Sequence, residues 1–272
     1  MAAHERSRGR VWFERLAGEA PILPGGPGSI LAADADLNGE RVRFLAVVPD
    51  PAGRFSRARG GEVGLEEGWT LARRVREAIA ADQGGGRRPI VAVVDVPSQA
   101  YGRKEELLGI HLACAAAADA YASARLAGHP VITLIVGKAL SGGFLAHGYQ
   151  ANRVLALDDP QVMVHAMGKE AAARVTKRTV AQLDELAAHV LPLAYDIRGF
   201  AQLGLVHELI GGVQADAPTE EDVAAVRAAL ARAVAEARSG PFDLRNRLES
   251  AAARTSRAAS IKVRELLAAQ WG

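Results

Sequence analysis

Val131-Ile132-Thr133-Leu134-Ile135-Val136 runs directly into Gly137-Lys138-Ala139-Leu140-Ser141-Gly142-Gly143-Phe144-Leu145-Ala146. The first six residues are apolar or β-branched and have the length of a buried strand; the next ten turn on small residues into an apolar helix start. A glycine pair at a strand-to-helix turn lets the main chain approach a ligand closely, and the unpaired N–H groups of the first helical turn hold negative charge. Chemistry that builds a transient oxyanion uses such a site, because fixed donors stabilise developing charge without reorganising. A tight turn that needs glycine only for packing is the plain alternative.

Composition bounds the possibilities. The chain has 272 residues, 49% hydrophobic and 24% charged, enough to bury a full core as one large domain or two small ones. Aromatic content is only 5% and alanine abounds, which suggests helices packed closely on a sheet rather than an all-β sandwich. A net charge of +2 argues against a nucleic-acid binder. Cys114 is the sole cysteine and so has no internal disulfide partner; its apolar neighbours Leu112 and Ala116 predict a buried thiol, and a reducing cytoplasm is the expected setting. The stretch Met1-Ala2-Ala3-His4-Glu5-Arg6-Ser7-Arg8-Gly9-Arg10 is basic with no apolar core behind it, unlike a secretory signal. No stretch reaches the roughly twenty apolar residues of a membrane span. Metal-ligand spacings, Gly-x-Gly-x-x-Gly and Walker sequences are missing.

Working outward from the opening stretch, residues 29–36 and 41–48 flank Asn38-Gly39, a strong hairpin signal. A Gly-, Pro- and Arg-rich loop follows over residues 50–64. Leu65, Trp69, Ala72, Val75 and Ile79 then recur at helical spacing, up to Gly84-Gly85-Gly86. Residues 89–96 form a second buried strand and residues 105–126 a long alanine-rich helix. Strand, loop and helix thus occur twice, each time with the informative loop at the carboxyl end of a strand, where open α/β sheets bind ligands. Shorter strands are expected at 153–157, 162–164 and 206–210, with a helix over 180–203 that Pro192 should kink or break. Thr219 and Asp222 have capping-box spacing and open a helix through residue 238; beyond Gly240-Pro241 a last basic helix runs towards Trp271.

The first buried strand ends in Asp95-Val96-Pro97-Ser98-Gln99-Ala100-Tyr101-Gly102, a turn placed like the Gly142-Gly143 turn, so that the two can face one pocket. Together with Gly128-His129-Pro130-Val131, these two turns resemble the crotonase-type carboxyltransferase halves of acetyl-CoA and propionyl-CoA carboxylases, and within that superfamily the gamma subunits of malonate decarboxylase. The similarity covers residues 29–210. It implies an α/β chain with the crotonase (ClpP/crotonase-like) fold, built of repeated β-β-α units with a C-terminal helical region. The expected division is an N-terminal extension (1–28), a carboxyltransferase core (29–212) and C-terminal helices (213–272). What the resemblance further implies is a thioester carbonyl held by backbone amides, one from Ser98 or Gln99 and one from Gly142 or Gly143. Lys138, Ser141, Ala100 and Gly102 would line the substrate. Ser98 stands where the acetyl-CoA carboxylases have glycine, and Lys138-Ala139-Leu140 replaces their glycine-dense stretch, which weighs against biotin as acceptor.

Decarboxylating a malonyl thioester leaves an electron pair delocalised onto the thioester oxygen, so the barrier is mostly the cost of that enolate. Aligned amides, a dry site and a proton donor suffice. Tyr101, His147 and His165 are the candidate acids, each with a plainer reading as a structural side chain. Ser141 lacks a histidine context for a nucleophile and reads better as a helix cap. Arg73, Arg74 and Arg76, and Arg245, Arg247, Arg254, Arg257, Lys262 and Arg264, are either solvated helix faces or a surface for an acidic carrier or phosphates. No directly bound cofactor is expected. The resemblance implies a homologous crotonase-fold beta subunit, an acyl carrier protein bearing the substrate on a phosphoribosyl-dephospho-CoA arm, and an acyl carrier protein transferase subunit. A biotin-dependent carboxyltransferase subunit and a non-catalytic scaffold are the alternatives. A hydratase or isomerase would want a glutamate near the second turn, and residues 138–150 contain no carboxylate.

Overall fold

The structure is a computed structural model and describes residues 7–271; the first six residues of the basic N-terminal stretch lie outside the described residues. The chain opens with α1 (Arg8–Ala17) and a hairpin of β1 (Ile30–Leu37) and β2 (Glu40–Val47). Asn38 and Gly39 both take positive φ, 54° and 84°, which suits the primed turn matching the twist of paired strands. α2 (Leu65–Ala81) leads to β3 (Ile90–Val96). The helix expected over 105–126 is two helices, α3 (Arg103–Leu107) and α4 (Ile110–Leu126), because Gly109 adopts φ 84° between them. β4 (Val131–Leu140) turns into α5 (Ser141–Ala146), and β5 (Arg153–Leu157) and β6 (Met163–His165) follow.

Pro192 does break its helix. α6 (Lys169–Thr176) and α7 (Val180–Ala187) are separated from α8 (Ile197–Gln202) by a 3-10 turn at Leu191–Leu193. β7 (Glu208–Ile210) and the capped α9 (Glu220–Ser239) come next. The basic tail is not one helix but three, α10 (Asn246–Glu249), α11 (Ala251–Ser256) and α12 (Ala258–Trp271); the Ser250 side chain caps α11, and α12 buries none of its residues against the chain.

The sheet runs β1-β2-β3-β4-β5-β7, with β6 paired to the far end of β4. Among the described strands only the hairpin pair is antiparallel. Helices cover both faces, α1 and α9 on one and α2 and α4 on the other, so β3 and β4 are buried along nearly their whole length rather than on alternate residues. Alanine serves the second layer: Ala113, Ala117, Ala120 and Ala124 are fully buried on α4. At Gly68 the two helices come so close that a β-carbon would lie 2.7 Å from the Ala113 carbonyl.

α1 belongs to the packed body even though the sequence sets residues 1–28 apart as an extension. Trp12, Phe13 and Leu16 are buried, and the Trp12 indole donates to the Ala215 carbonyl at 2.8 Å. Arg8 ties the start of the helix to Asp159 (2.8 Å) and Asp216 (2.6 Å). Among the described residues no helix is long and apolar enough to cross a membrane. Truncating Trp12 to alanine leaves a void between helix and sheet and should cost about 3–5 kcal/mol of stability, read as a lowered midpoint in urea.

Candidate functional site

Where β3 and β4 leave their common register, Val94 pairs with Ile135 but Val96 pairs with Ala139, so β4 carries a bulge at Val136-Gly137-Lys138. A β-carbon on Gly137 would lie 2.2 Å from the Asp95 carboxylate. That carboxylate accepts the Lys138 N–H (3.0 Å) and the Gly9 N–H (3.2 Å), pinning the bulge to α1. Gly137 is thus the bulge rather than the start of the turn, because Lys138, Ala139 and Leu140 stay in the sheet by pairing with β6. The strand-to-helix turn comes at Ser141, a non-glycine residue at φ 59°, a conformation costing about 1–2 kcal/mol.

The two turns meet here. A β-carbon on Gly143 would fall 2.4 Å from the Ser98 carbonyl oxygen, and one on Gly142 would fall 2.7 Å from Gln99 Oε1. Val63 clamps the Ser98–Ala100 segment from the other side, donating to the Ser98 carbonyl (3.0 Å) and accepting the Ala100 N–H (2.9 Å). Val63 is itself set by buried Glu67, whose carboxylate takes the Gly64 N–H (3.1 Å) and the Ser29 hydroxyl (2.5 Å). Burial raises the Glu67 pKa. The glycine pair therefore does serve packing, and what it packs is the second turn.

The Gln99 side chain supplies the unforeseen element. Its carbonyl oxygen accepts the Gly142 N–H (2.7 Å) and the Ser141 hydroxyl (2.8 Å). A backbone N–H needs an acceptor, so the amide oxygen and not its NH2 faces Gly142. Ser141 has spent its one proton on Gln99, so in the 2.5 Å bond between the two hydroxyls Tyr101 is the donor. A chain of donors thus runs from Tyr101, 52% exposed, through Ser141 to a carbonyl oxygen. The sequence drew attention to the Gln99 backbone; the side chain carries no signal of its own, because the partner that defines it lies 42 residues away.

Beside this turn lies a pocket of about 300 Å³. Ser141 and Gly142 form one end, and Phe144, Leu145, Tyr149, Val164 and Phe200 make apolar walls. Pro192 and Ala194, from the break between α7 and α8, close it along with His165. His165 stacks on Tyr195 with ring centres 3.9 Å apart, and its Nδ1 meets the Met167 backbone. Burial lowers its pKa, favouring the neutral ring. Tyr195 has a raised pKa, again through burial, and its hydroxyl has no hydrogen-bond partner among the described residues.

The malonate decarboxylase gamma-subunit family model matches residues 58–271. This chain belongs to that family. It is 58% identical to a chain of a Pseudomonas malonate decarboxylase hetero-tetramer solved in complex with coenzyme A, covering 97% of this chain and 100% of that one with a TM-score of 0.92. The corresponding figures for a chain of the Pseudomonas MdcD-MdcE hetero-dimer are 56%, 97%, 100% and 0.89. The malonyl-S-ACP:biotin-protein carboxyltransferase MADD of Malonomonas rubra is 36% identical over 68% of this chain, and the match spans 61% of that relative's length. Transcarboxylase 12S, 22% identical with a TM-score of 0.62 over 83% of this chain and 40% of its own, shares the fold. The architecture is the crotonase-type one expected from the two turns.

Within this malonate decarboxylase gamma-subunit framework, Ser98, Gln99, Tyr101, Ser141, Gly142 and Gly143 lie together, and His165, paired in the sheet with Leu140, lines the pocket beside the turn. Other candidates lie elsewhere. Ala100 is fully buried with its N–H bound to Val63, so it faces the core and not a substrate. Gly102 starts α3, where a β-carbon would collide with Glu105. Lys138 lines a separate polar cavity with Asp95, Arg8 and Asp216. His147 is fully buried between the Tyr121 hydroxyl (3.0 Å) and the Val93 carbonyl (3.1 Å). Val93 only accepts, so Nε2 carries the proton. Cys114 is half-buried, and burial pushes its thiol up to about 11. Among the described residues no three His, Cys, Asp or Glu side chains gather as a metal site.

Burial lowers the His147 pKa from 6.5 to about 4. Protonation therefore favours the unfolded chain, so stability is complete above pH 6.5 and falls as pH drops towards about 4. The loss should reach about 3 kcal/mol. Equilibrium urea unfolding across this range should show a shallower acid limb in His147→Gln than in the parent.

Proposed function

We propose that this chain is one half of a malonyl-thioester decarboxylase, acting with a homologous crotonase-fold beta subunit to convert a malonyl thioester into an acetyl thioester and carbon dioxide. The observation that carries this is the carbonyl-binding geometry at Gln99: an amide N–H and a hydroxyl converge on one oxygen beside an apolar pocket. In our reading the Gln99 carboxamide stands in for the substrate carbonyl, which takes its place when bound. Cleavage of the C–C bond releases carbon dioxide and puts the electron pair on the thioester oxygen as an enolate. Gly142 N–H and the Ser141 hydroxyl hold that oxygen, and low polarity in the pocket strengthens both bonds.

The enolate carbon then needs one proton. We assign it to Tyr101 rather than His165. Tyr101 already donates towards the site through Ser141 and is half exposed to water, whereas burial disfavours the charged form of His165. The substrate would arrive on an acyl carrier protein through a phosphoribosyl-dephospho-CoA arm loaded by a transferase subunit, in the cytoplasm. The Pseudomonas hetero-dimer supports the two-subunit assembly, and the malonyl-S-ACP named for the Malonomonas rubra relative supports a carrier-borne substrate. That relative's name also supports a second reading, in which the carboxyl group passes to biotin instead of leaving as carbon dioxide.

Reconstituted with its beta subunit and given carboxyl-labelled malonyl thioester, the chain should release labelled carbon dioxide; alone, it should release none. Label retained on a biotinylated protein would favour the second reading. Gly143→Ala forces the two turns apart and should lower kcat about 100-fold with the complex intact on gel filtration. A full rate in that variant would instead support a scaffold role. Tyr101→Phe should lower kcat with little change in KM, as expected of a group that acts after binding.

A further inference from the structure

A second cavity, of about 410 Å³, lies where α10 packs on the core, with Arg257 and, from the exposed α12, Arg264 at its edge; Tyr149, Leu205, Arg245 and Arg247 are among the other lining residues. Its charges do not balance. Among the described residues Asp243 is the one carboxylate in the lining, and it is already paired with Arg245 at 2.7 Å. Arg247 is only 7% exposed; its guanidinium donates to the carbonyls of Tyr149 (2.6 Å) and Ala151 (2.9 Å) and meets no acid among the described residues. Arg257 donates to the Arg247 carbonyl at 3.0 Å and, like Arg264, has no carboxylate partner among the described residues. Burial lowers the Arg247 pKa, and the charges of Arg125 and Arg257 add to the effect. Like charges gathered at the mouth of one cavity repel, and an anion with several oxygens relieves them through paired N–H donors.

Tyr149 connects this cavity to the reaction pocket, because it lines both. On one side its ring meets Phe144 edge-on, with centres 5.3 Å apart. On the other the Arg247 guanidinium lies over the ring at 4.6 Å. A ligand reaching both cavities needs an acyl end and, at the far end of an uncharged arm, a polyanionic handle. We propose that the Arg247–Arg257–Arg264 cavity binds the phosphate groups of the thioester's carrying arm, whose acyl end lies beyond Tyr149 against Ser141 and Gly142. The choice of ligand rests on the decarboxylase function proposed above. Leu205, Leu244 and Leu248 provide apolar surface for the uncharged part of the arm.

The test uses the reconstituted two-subunit complex with three substrates: malonyl-CoA, malonyl on the loaded acyl carrier protein, and malonyl-N-acetylcysteamine, which has no phosphate. In Arg257→Gln/Arg264→Gln, KM for at least one phosphate-bearing substrate should rise about tenfold or more at unchanged kcat, with KM for the phosphate-free thioester unmoved. A rise confined to malonyl-CoA or to the carrier substrate identifies which arm the cavity serves. Arg174→Gln, exposed on α6 and outside the cavity, should match the parent. Calorimetric titration with inorganic pyrophosphate should show binding to the parent complex and at least tenfold weaker binding to the double variant. Arg264→Gln alone, which removes an exposed side chain without a hydrogen bond, repeats both measurements if the double variant is unstable. Equal pyrophosphate affinity in parent and variant, or a KM rise shared by all three thioesters, overturns the proposal. If the parent complex turns over none of the thioesters, the decarboxylase assignment falls, and the pyrophosphate titration still decides whether the cavity is an anion site.

Discussion

The functional end of this molecule depends on one close approach, the packing of Gly143 against the Ser98 carbonyl. There is no room there for a methyl group. Both sides are held from behind. Asp95 fixes the β4 bulge from the α1 side, and Val63, set by the buried Glu67, fixes the peptide before Gln99. The carbonyl-binding donors are therefore a product of sheet register: the bulge at Gly137 delays the turn to Ser141, and the delay lets β4 pair with β6 and bring His165 to the pocket.

Gln99 gives the site an internal occupant. An amide N–H and a hydroxyl aimed at open space would have to be satisfied by water. Here a carboxamide of the right shape satisfies both, so the donors remain preorganised. A net hydrogen bond contributes only about 1 kcal/mol, so on the function proposed above an incoming carbonyl with better-placed contacts elsewhere would displace it. The same logic applies to the cationic cavity, where backbone carbonyls hold Arg247 in place without neutralising it.

Much of the fold was legible because its signals are local. The Asn38-Gly39 hairpin, the apolar strands at β3 and β4, the capping box of α9 and the break at Pro192 each depend on neighbours within a few residues. The two glycine-bearing turns were legible for the same reason. Where the sequence misled, distance along the chain is the cause. α1 reads as an extension because Ala215 and Asp216, which hold it, lie about two hundred residues away. His147 reads as an acid because nothing near it in the chain announces Tyr121 and Val93.

The sequence by itself thus determined the class of fold, the order of its elements and the two turns able to present backbone donors, since periodicity and turn chemistry act over short range. Tertiary structure alone decided which donors face a carbonyl, which histidine lines the pocket and which arginines remain without acids. Those properties arise between segments 40 to 200 residues apart, through strand register and packing that no local pattern encodes.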